Sequence, residues 1–178
     1  MNVPGHGEIA EEERFAAAPP DVFAVLTDRD FLAAYAEELG ARLDGLTTSG
    51  PDDARRTELH LGVPTRGIPP AFARFVGAEV TVADVRTWRP DGDGGWAADT
   101  EVRARIFGRD AVVVGTSTLT PDAGGTLATT AARVTVDAPI VGRQAESAVG
   151  QLVTVVLRRE AELLRRRLAG SGPASSSP

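Results

Sequence analysis

The feature of this 178-residue chain that most restricts its fold is a long amphipathic segment near the C-terminus. Residues 142–168 contain no proline and one inner glycine, and their apolar residues recur at helical spacing. A helix of this length spans roughly 40 Å, which is enough to cross a whole sheet. Its apolar stripe has to be buried against another element. We therefore expect a long C-terminal helix that packs on one face of a sheet.

The chain before this helix predicts an antiparallel meander of strands joined by short turns. The strand-like segments are 56–63, 79–89, 96–107, 111–120 and 126–137. Their alternation of apolar and polar residues is typical of a sheet with one buried and one solvated face. In one of them the apolar phase shifts from Val80 and Val82 to Val85, which indicates a β-bulge near Ala83.

Two short helices are predicted near the N-terminus, after a weak strand signal at 8–16. The sequence PPD at 19–21 suits the first turn of a helix, which ends at Thr27. Asp30 can cap a second helix, and Gly40 closes it.

These elements together predict an α+β domain with a helix-grip fold. A curved antiparallel sheet of about six to seven strands would wrap the long C-terminal helix, with the two short helices after the first strand. A further short helix is expected at 69–77, between two strands. We expect a single domain at 8–169, a flexible leader at 1–7 and a disordered tail at 170–178.

Composition excludes several classes of protein. The chain has no cysteine, so disulfide scaffolds, thiol nucleophiles and cysteine metal sites are excluded, and its 2 histidines argue against a multi-histidine metal centre. No apolar run approaches a membrane span, and no signal peptide is apparent. The net charge of −6, concentrated in the first third, argues against nucleic-acid binding. We expect a cytoplasmic protein without a metal or a cofactor.

No segment of the sequence meets the full requirements of a known catalytic motif. The turn DGDG at 91–94 lacks the glutamate that a calcium loop needs, because Val102 stands at the twelfth position. The sequence GTSTL at 115–119 lacks the second glycine of a nucleophile elbow. His60 opposes the apolar phase of its strand, which places it on the outer face of the sheet. No catalytic residue is assigned, and whether the protein is an enzyme stays open.

The opening helix resembles that of the START-like superfamily (SRPBCC), the fold of the birch-pollen allergen. The resemblance rests first on APPDVFAVLTD at 18–28. Four later segments resemble one family of that superfamily, a domain-of-unknown-function family of small proteins from GC-rich bacteria; they are PPAFARFVG at 69–77, VRTW at 85–88, GTSTLTP at 115–121 and VDAPIVG at 136–142. The superfamily implies a hydrophobic cavity between the long helix and the sheet, and its members include lipid carriers, hormone receptors, polyketide cyclases and co-chaperones.

The leading hypothesis is a protein that binds a small hydrophobic or amphipathic molecule in such a cavity. The residues expected to line it are Phe23, Leu26, Leu59, Leu61, Phe72, Phe75, Arg86, Trp88, Thr100, Val102, Val113, Ser117, Val149, Leu152 and Val156. Phe72 and Phe75 could be plain core or part of a lid. Arg86 could turn inward at the bulge and anchor a ligand carboxylate, or it could face solvent.

Two other functions remain open from the sequence. A polyketide cyclase or hydratase would need an ionisable group with a perturbed pKa inside the cavity, and the strand phases place none there securely. A protein-interaction module would have a collapsed cavity. Most inward strand positions carry Ala, Thr or Val, and these small side chains favour an open cavity. The identity of the ligand and the oligomeric state are not indicated.

Overall fold

Seven strands and three helices make up the described part of the chain, which in this computed structural model comprises residues 7–65, 79–106, 108–137 and 142–170. In chain order the elements are β1 (Glu8–Phe15), α1 (Pro19–Leu26), α2 (Arg29–Glu38), β2 (Arg42–Ser49), β3 (Arg56–Pro64), β4 (Glu79–Pro90), β5 (Trp96–Ile106), β6 (Arg109–Asp122), β7 (Gly125–Val136) and α3 (Gly142–Gly170). The predicted helix at 69–77 lies outside the described residues.

The two short helices form where the sequence predicts them, but the second one is capped by a different residue. Asp28, and not Asp30, accepts a hydrogen bond from the backbone N–H of Phe31 at 2.9 Å. Asp30 lies in the first turn, where a carboxylate is favoured by the helix dipole. Gly40 follows the helix with φ +64°, a left-handed conformation that glycine adopts without strain.

All seven strands form one antiparallel sheet in the order β1-β7-β6-β5-β4-β3-β2. Strands β2 to β7 are a meander, and β1 joins the sheet beside β7. The predicted bulge near Ala83 is wrong, because β3 and β4 pair without interruption from Arg56↔Thr87 to Pro64↔Glu79. The irregularity lies instead in β2, between Leu43 and Gly45. The α+β helix-grip fold is confirmed.

The inward face of the sheet and α3 share two separate clusters of buried apolar side chains. The larger cluster joins α1 and α2 to the C-terminal half of α3, where Ala161 and Leu164 are buried. The smaller cluster lies under the N-terminal half of α3 and contains Ile9, Val134 and Ala145. Helix α3 is therefore anchored near both ends.

Both tryptophans belong to the larger cluster and contact Phe23 of α1. Phe23 stacks on Trp96 with ring centroids 4.9 Å apart, and it meets Trp88 edge-on at 6.0 Å. The indole N–H of Trp96 donates to the backbone oxygen of Asp53 at 3.1 Å. Phe23 thus fixes both rings from α1.

Candidate functional site

A cavity of about 720 Å³ lies between α3 and the concave face of the sheet. Its walls come from the inward residues of β1 and β3 to β7, from α1 and α2, and from one side of α3. Most of this lining is apolar. The space lies between the two buried clusters.

The cavity is open because two neighbouring rows of the sheet carry small residues. One row runs through Thr100, Gly115 and Ala132 on β5, β6 and β7, and the next runs through Ala98, Ser117 and Thr130. The rows on either side carry larger groups, with Val102, Val113 and Val134 on one side and Trp96 and Leu119 on the other. Small inward side chains leave the space that the helix does not fill.

Gly115 is required at its position in this row. A Cβ atom there would lie 2.3 Å from the backbone oxygen of Ala131 on the neighbouring strand, far inside van der Waals contact. The sheet geometry at the centre of the cavity floor therefore excludes a side chain.

The middle of α3 forms the opposite wall and is partly open to solvent. Leu152 and Val155 line the cavity and are 40% and 47% exposed. In contrast, Ala145 near one end and Leu164 near the other are 5% and 2% exposed. An apolar molecule that entered the cavity would cover the exposed apolar surface between these ends.

A buried cluster of charged side chains interrupts the apolar wall. Arg86 on β4 donates two hydrogen bonds to Asp84, from Nε at 3.2 Å and from Nη2 at 3.0 Å. It donates a third from Nη1 to Glu160 on α3 at 2.7 Å. The side chains of Arg86, Asp84 and Glu160 are 14%, 8% and 9% exposed. All three residues line the cavity, as does Tyr35 beside them.

Burial sets the protonation behaviour of this cluster. Desolvation raises the pKa of Glu160 above its ordinary value of 4.5, which the Arg86 guanidinium opposes and the Asp84 charge reinforces. Burial disfavours the charged form of Arg86, yet Asp84 and Glu160 together hold its pKa well above the ordinary range. Burial, and then the charge of Glu160, raise the pKa of the Tyr35 hydroxyl. The carboxyl group of Glu160 therefore binds a proton more readily in the folded protein than in the unfolded chain.

Three polar atoms beside the charged cluster are buried without a hydrogen-bond partner among the described residues. They are Nε1 of Trp88, Oγ1 of Thr100 and Oγ1 of Thr57, which lies across from Arg86 in the β3–β4 ladder. Thr100 lies directly across from Arg86 in the β4–β5 ladder, and Trp88 follows Arg86 by two residues on the same face of β4. Both residues line the cavity. The charged cluster, Trp88 and Thr100 therefore form one polar patch in a mainly apolar wall.

The structure brings most of the sequence-predicted residues together around this cavity. Those that line it are Leu26, Leu61, Arg86, Trp88, Thr100, Val102, Val113, Ser117, Val149, Leu152 and Val156. Phe23 and Leu59 are buried in the larger apolar cluster and do not border the cavity. Phe72 and Phe75 lie outside the described residues. His60 is exposed and contacts Glu58 at 2.9 Å.

Sequence reasoning missed two polar residues of the site, Tyr35 and Glu160, and left open whether Asp84 turns inward. Asp84 and Arg86 share the inward phase of Val80 and Trp88 without any bulge. In the sequence, the charges at these two positions resemble a break in the apolar pattern. Glu160 lies four residues after Val156, within the apolar stripe of α3. A charged residue in each of two apolar stripes is the signal that could have identified the pair.

Comparisons with known proteins agree with this fold. A family model described as a protein of unknown function, DUF2505, matches residues 11–168, and the chain belongs to that family. A search of curated proteins returns no significant match.

Three solved structures illustrate the fold similarity. A STAR-related lipid transfer protein fragment from Xanthomonas axonopodis shares 21% identity at a TM-score of 0.53, with 92% of this chain and 90% of that chain covered. A START superfamily protein from Mycobacterium smegmatis shares 15% at 0.50, with 93% and 99% covered. The structure of Ara h 8.0201 shares 11% at 0.55, with 92% and 98% covered. These similarities place the chain in the START-like fold.

Within the described ranges, no helix is both long and apolar enough to span a bilayer. The same residues contain no group of three or more His, Asp or Glu side chains placed to hold a metal ion.

Proposed function

We propose that this member of the DUF2505 family binds a small apolar or amphipathic molecule between α3 and the sheet. The observation that carries the proposal is the cavity of about 720 Å³ with mainly apolar walls. Binding sites for small molecules typically have volumes of about 300–1,000 Å³, apolar walls and a few fixed polar groups. The polar patch around Arg86 supplies those groups.

The energetics of the empty space support this role. Apolar surface that stays in contact with water contributes no burial energy, and about 25 cal/mol is gained for each Å² that a ligand covers. Leu152 and Val155 offer such surface on α3. Because α3 is anchored by buried residues near both ends, a ligand can occupy the space between them without displacing the helix.

The test is to fill the cavity from the floor of the sheet. Val102 lines the cavity on β5, whereas Val114 on β6 lies on the outer face and is 54% exposed. We expect Val102→Trp to abolish binding of the neutral fluorescent probe N-phenyl-1-naphthylamine, and Val114→Trp to leave it unchanged. Equal binding by both variants would show that the probe binds elsewhere. Native mass spectrometry of the purified wild type, with a solvent-extracted control, would identify any molecule that it retains.

A second candidate function is catalysis in the same cavity. The observation in its favour is Glu160, a cavity-lining carboxyl group whose pKa is raised by burial, as a general acid requires. A retained molecule, once extracted and returned to the protein, would change mass or structure if the site is catalytic. Under this alternative Glu160→Gln would stop the conversion and preserve binding, whereas a ligand carrier would return the molecule unaltered.

A further inference from the structure

The wall of the cavity carries more carboxylates than guanidinium groups. Among the lining residues that the structure describes, four are acidic and two are basic, namely Glu11, Glu13, Asp84 and Glu160 against Arg86 and Arg159. Arg159 is exposed, so solvent screens its charge. The field inside the cavity is therefore negative, and it is strengthened where the apolar walls keep the dielectric low.

The two glutamates of β1 add to this field because their partners lie on the solvent side. Glu11 and Glu13 follow Ile9 in the inward row of the strand. Glu11 pairs with Arg158 at 3.3 Å, and Glu13 pairs with Arg165. The side chain of each arginine is more exposed than that of its glutamate, and neither arginine lines the cavity. The carboxylates therefore lie nearer to the cavity than the charges that compensate them.

Glu160 supplies a charged acceptor atom that the protein leaves free. Both oxygens of Asp84 accept a hydrogen bond from Arg86, whereas Glu160 accepts its one bond through Oε1. No described residue donates to Oε2 of Glu160, and this atom, unlike Nε1 of Trp88, is not among the fully enclosed atoms without a partner. The side chain of Glu160 is 9% exposed and lines the cavity. A donor group on a ligand in the cavity can therefore reach Oε2.

We propose that the cavity binds amphipathic amines, whose ammonium group donates a hydrogen bond to Oε2 of Glu160, and that it discriminates against the corresponding carboxylates. An ammonium group has three donors and brings the positive charge that the two carboxylates and one guanidinium of the cluster lack. A ligand carboxylate would find Arg86 already bonded to Asp84 and Glu160. The inference thus differs from the sequence-based hypothesis that Arg86 anchors a carboxylate, and it rests on the ligand-binding role proposed above.

The experiment measures displacement of N-phenyl-1-naphthylamine from the wild-type protein by three molecules of equal chain length, decylammonium, decanol and decanoate, each below its micelle concentration. At pH 8 both ions are charged, and physiological salt screens attraction by the outer surface of the protein. We expect decylammonium to displace the probe at a concentration about tenfold or more below that of decanoate. Displacement by decanoate at a similar or lower concentration would overturn the inference.

Two variants of α3 that remove the same charge locate the selectivity. Glu160→Gln should weaken decylammonium about five- to tenfold, because a charge-assisted hydrogen bond becomes a neutral one, and should leave decanol and the probe unchanged. Glu162→Gln is the control, since Glu162 is exposed and does not line the cavity, and it should change the affinity of none of these molecules. Equal decylammonium affinities for the two variants would refute the role of Glu160.

The outcomes distinguish this inference from the proposed function. If the probe does not bind, or if none of the three molecules displaces it, both are overturned. If decanol displaces the probe but decanoate competes as well as decylammonium, the inference fails and the ligand-binding role stands. Thermal melting of each variant, followed by circular dichroism, checks that the fold is intact, and the comparison of the two ions on the wild type needs no variant.

Discussion

Replacement of Arg86 by methionine tests the electrostatic description of the cavity wall. The guanidinium of Arg86 is the counter-charge of Asp84 and Glu160, whose side chains are 8% and 9% exposed. Methionine keeps an apolar side chain of similar reach and leaves both carboxylates without their partner. Removal of one member of a buried ion pair destabilises a protein by about 3–5 kcal/mol, because the remaining charge stays buried. We expect Arg86→Met to lower the free energy of unfolding by about this amount at pH 7.

The matched variant Glu160→Gln should behave differently, although it touches the same cluster. Arg86 keeps both hydrogen bonds to Asp84, and the glutamine oxygen can still accept the third. The change removes the excess negative charge and leaves a one-to-one ion pair. We expect the free energy of unfolding to stay within about 1 kcal/mol of wild type, since no buried charge is left uncompensated.

The pH dependence of these effects follows from the sign of the pKa shifts. The pKa of Glu160 is raised above 4.5 in the folded protein, so the native state binds a proton that the unfolded chain releases as the pH rises past that value. The stabilisation that proton binding by Glu160 provides is present below pH 4.5, and it is lost as the pH rises through the pKa that Glu160 has in the folded protein. Glu160→Gln should therefore gain stability relative to wild type as the pH rises through this window. Arg86→Met should recover relative to wild type as the pH falls, because its unpaired carboxyl groups can then be neutral.

Urea unfolding monitored by circular dichroism at pH 5 and pH 7 provides the measurement. The midpoint and the slope give the free energy of unfolding of each variant. A loss of less than about 1 kcal/mol in Arg86→Met at pH 7 would contradict the buried-pair argument. So would a difference from wild type that is the same at both pH values.

Two further variants test how the fold positions the site. Asp28→Ala should lower the free energy of unfolding by about 1 kcal/mol, because it removes the cap of α2. Asp30→Ala should lower it by less, since only Asp28 bonds to the N–H of Phe31. Thermal melting of the two variants provides the comparison. Gly115→Ala should destabilise the protein by about 1–3 kcal/mol, because the added Cβ would clash with the neighbouring strand. Gly142→Ala is the control, since a Cβ at that position would lie at an ordinary van der Waals distance from its neighbours. Equal melting temperatures for the two variants would disprove the close approach at Gly115.

The order of elements could be predicted from the sequence because it depends on local patterns. The stripe of α3, the alternation of β3 and the PPD start of α1 each express the side-chain period of one element. The cap of α2 was misassigned by two residues, since Asp28 and Asp30 both suit that position and only the backbone geometry decides between them.

The polar part of the site could not be predicted in the same way. Arg86 and Glu160 are separated by 74 positions, and their contact depends on how α3 lies across β4. Each residue taken alone breaks an apolar pattern, so the pattern suggests a bulge or a solvated position. The ion pair between the two residues, with Asp84 beside them, offsets the free-energy cost of burying these charges.

The open cavity and the buried ion cluster depend on each other. The rows of small residues through Gly115 and Ser117 remove the apolar contacts that would otherwise hold the middle of α3 against the sheet. The ion pair between Arg86 and Glu160 connects α3 to β4 across this gap. A densely packed wall would make these charges replaceable by apolar groups, as in proteins where a buried ion pair is exchanged for well-packed side chains without loss of stability. Beside an open cavity, the same pair fixes the helix and leaves room for a ligand.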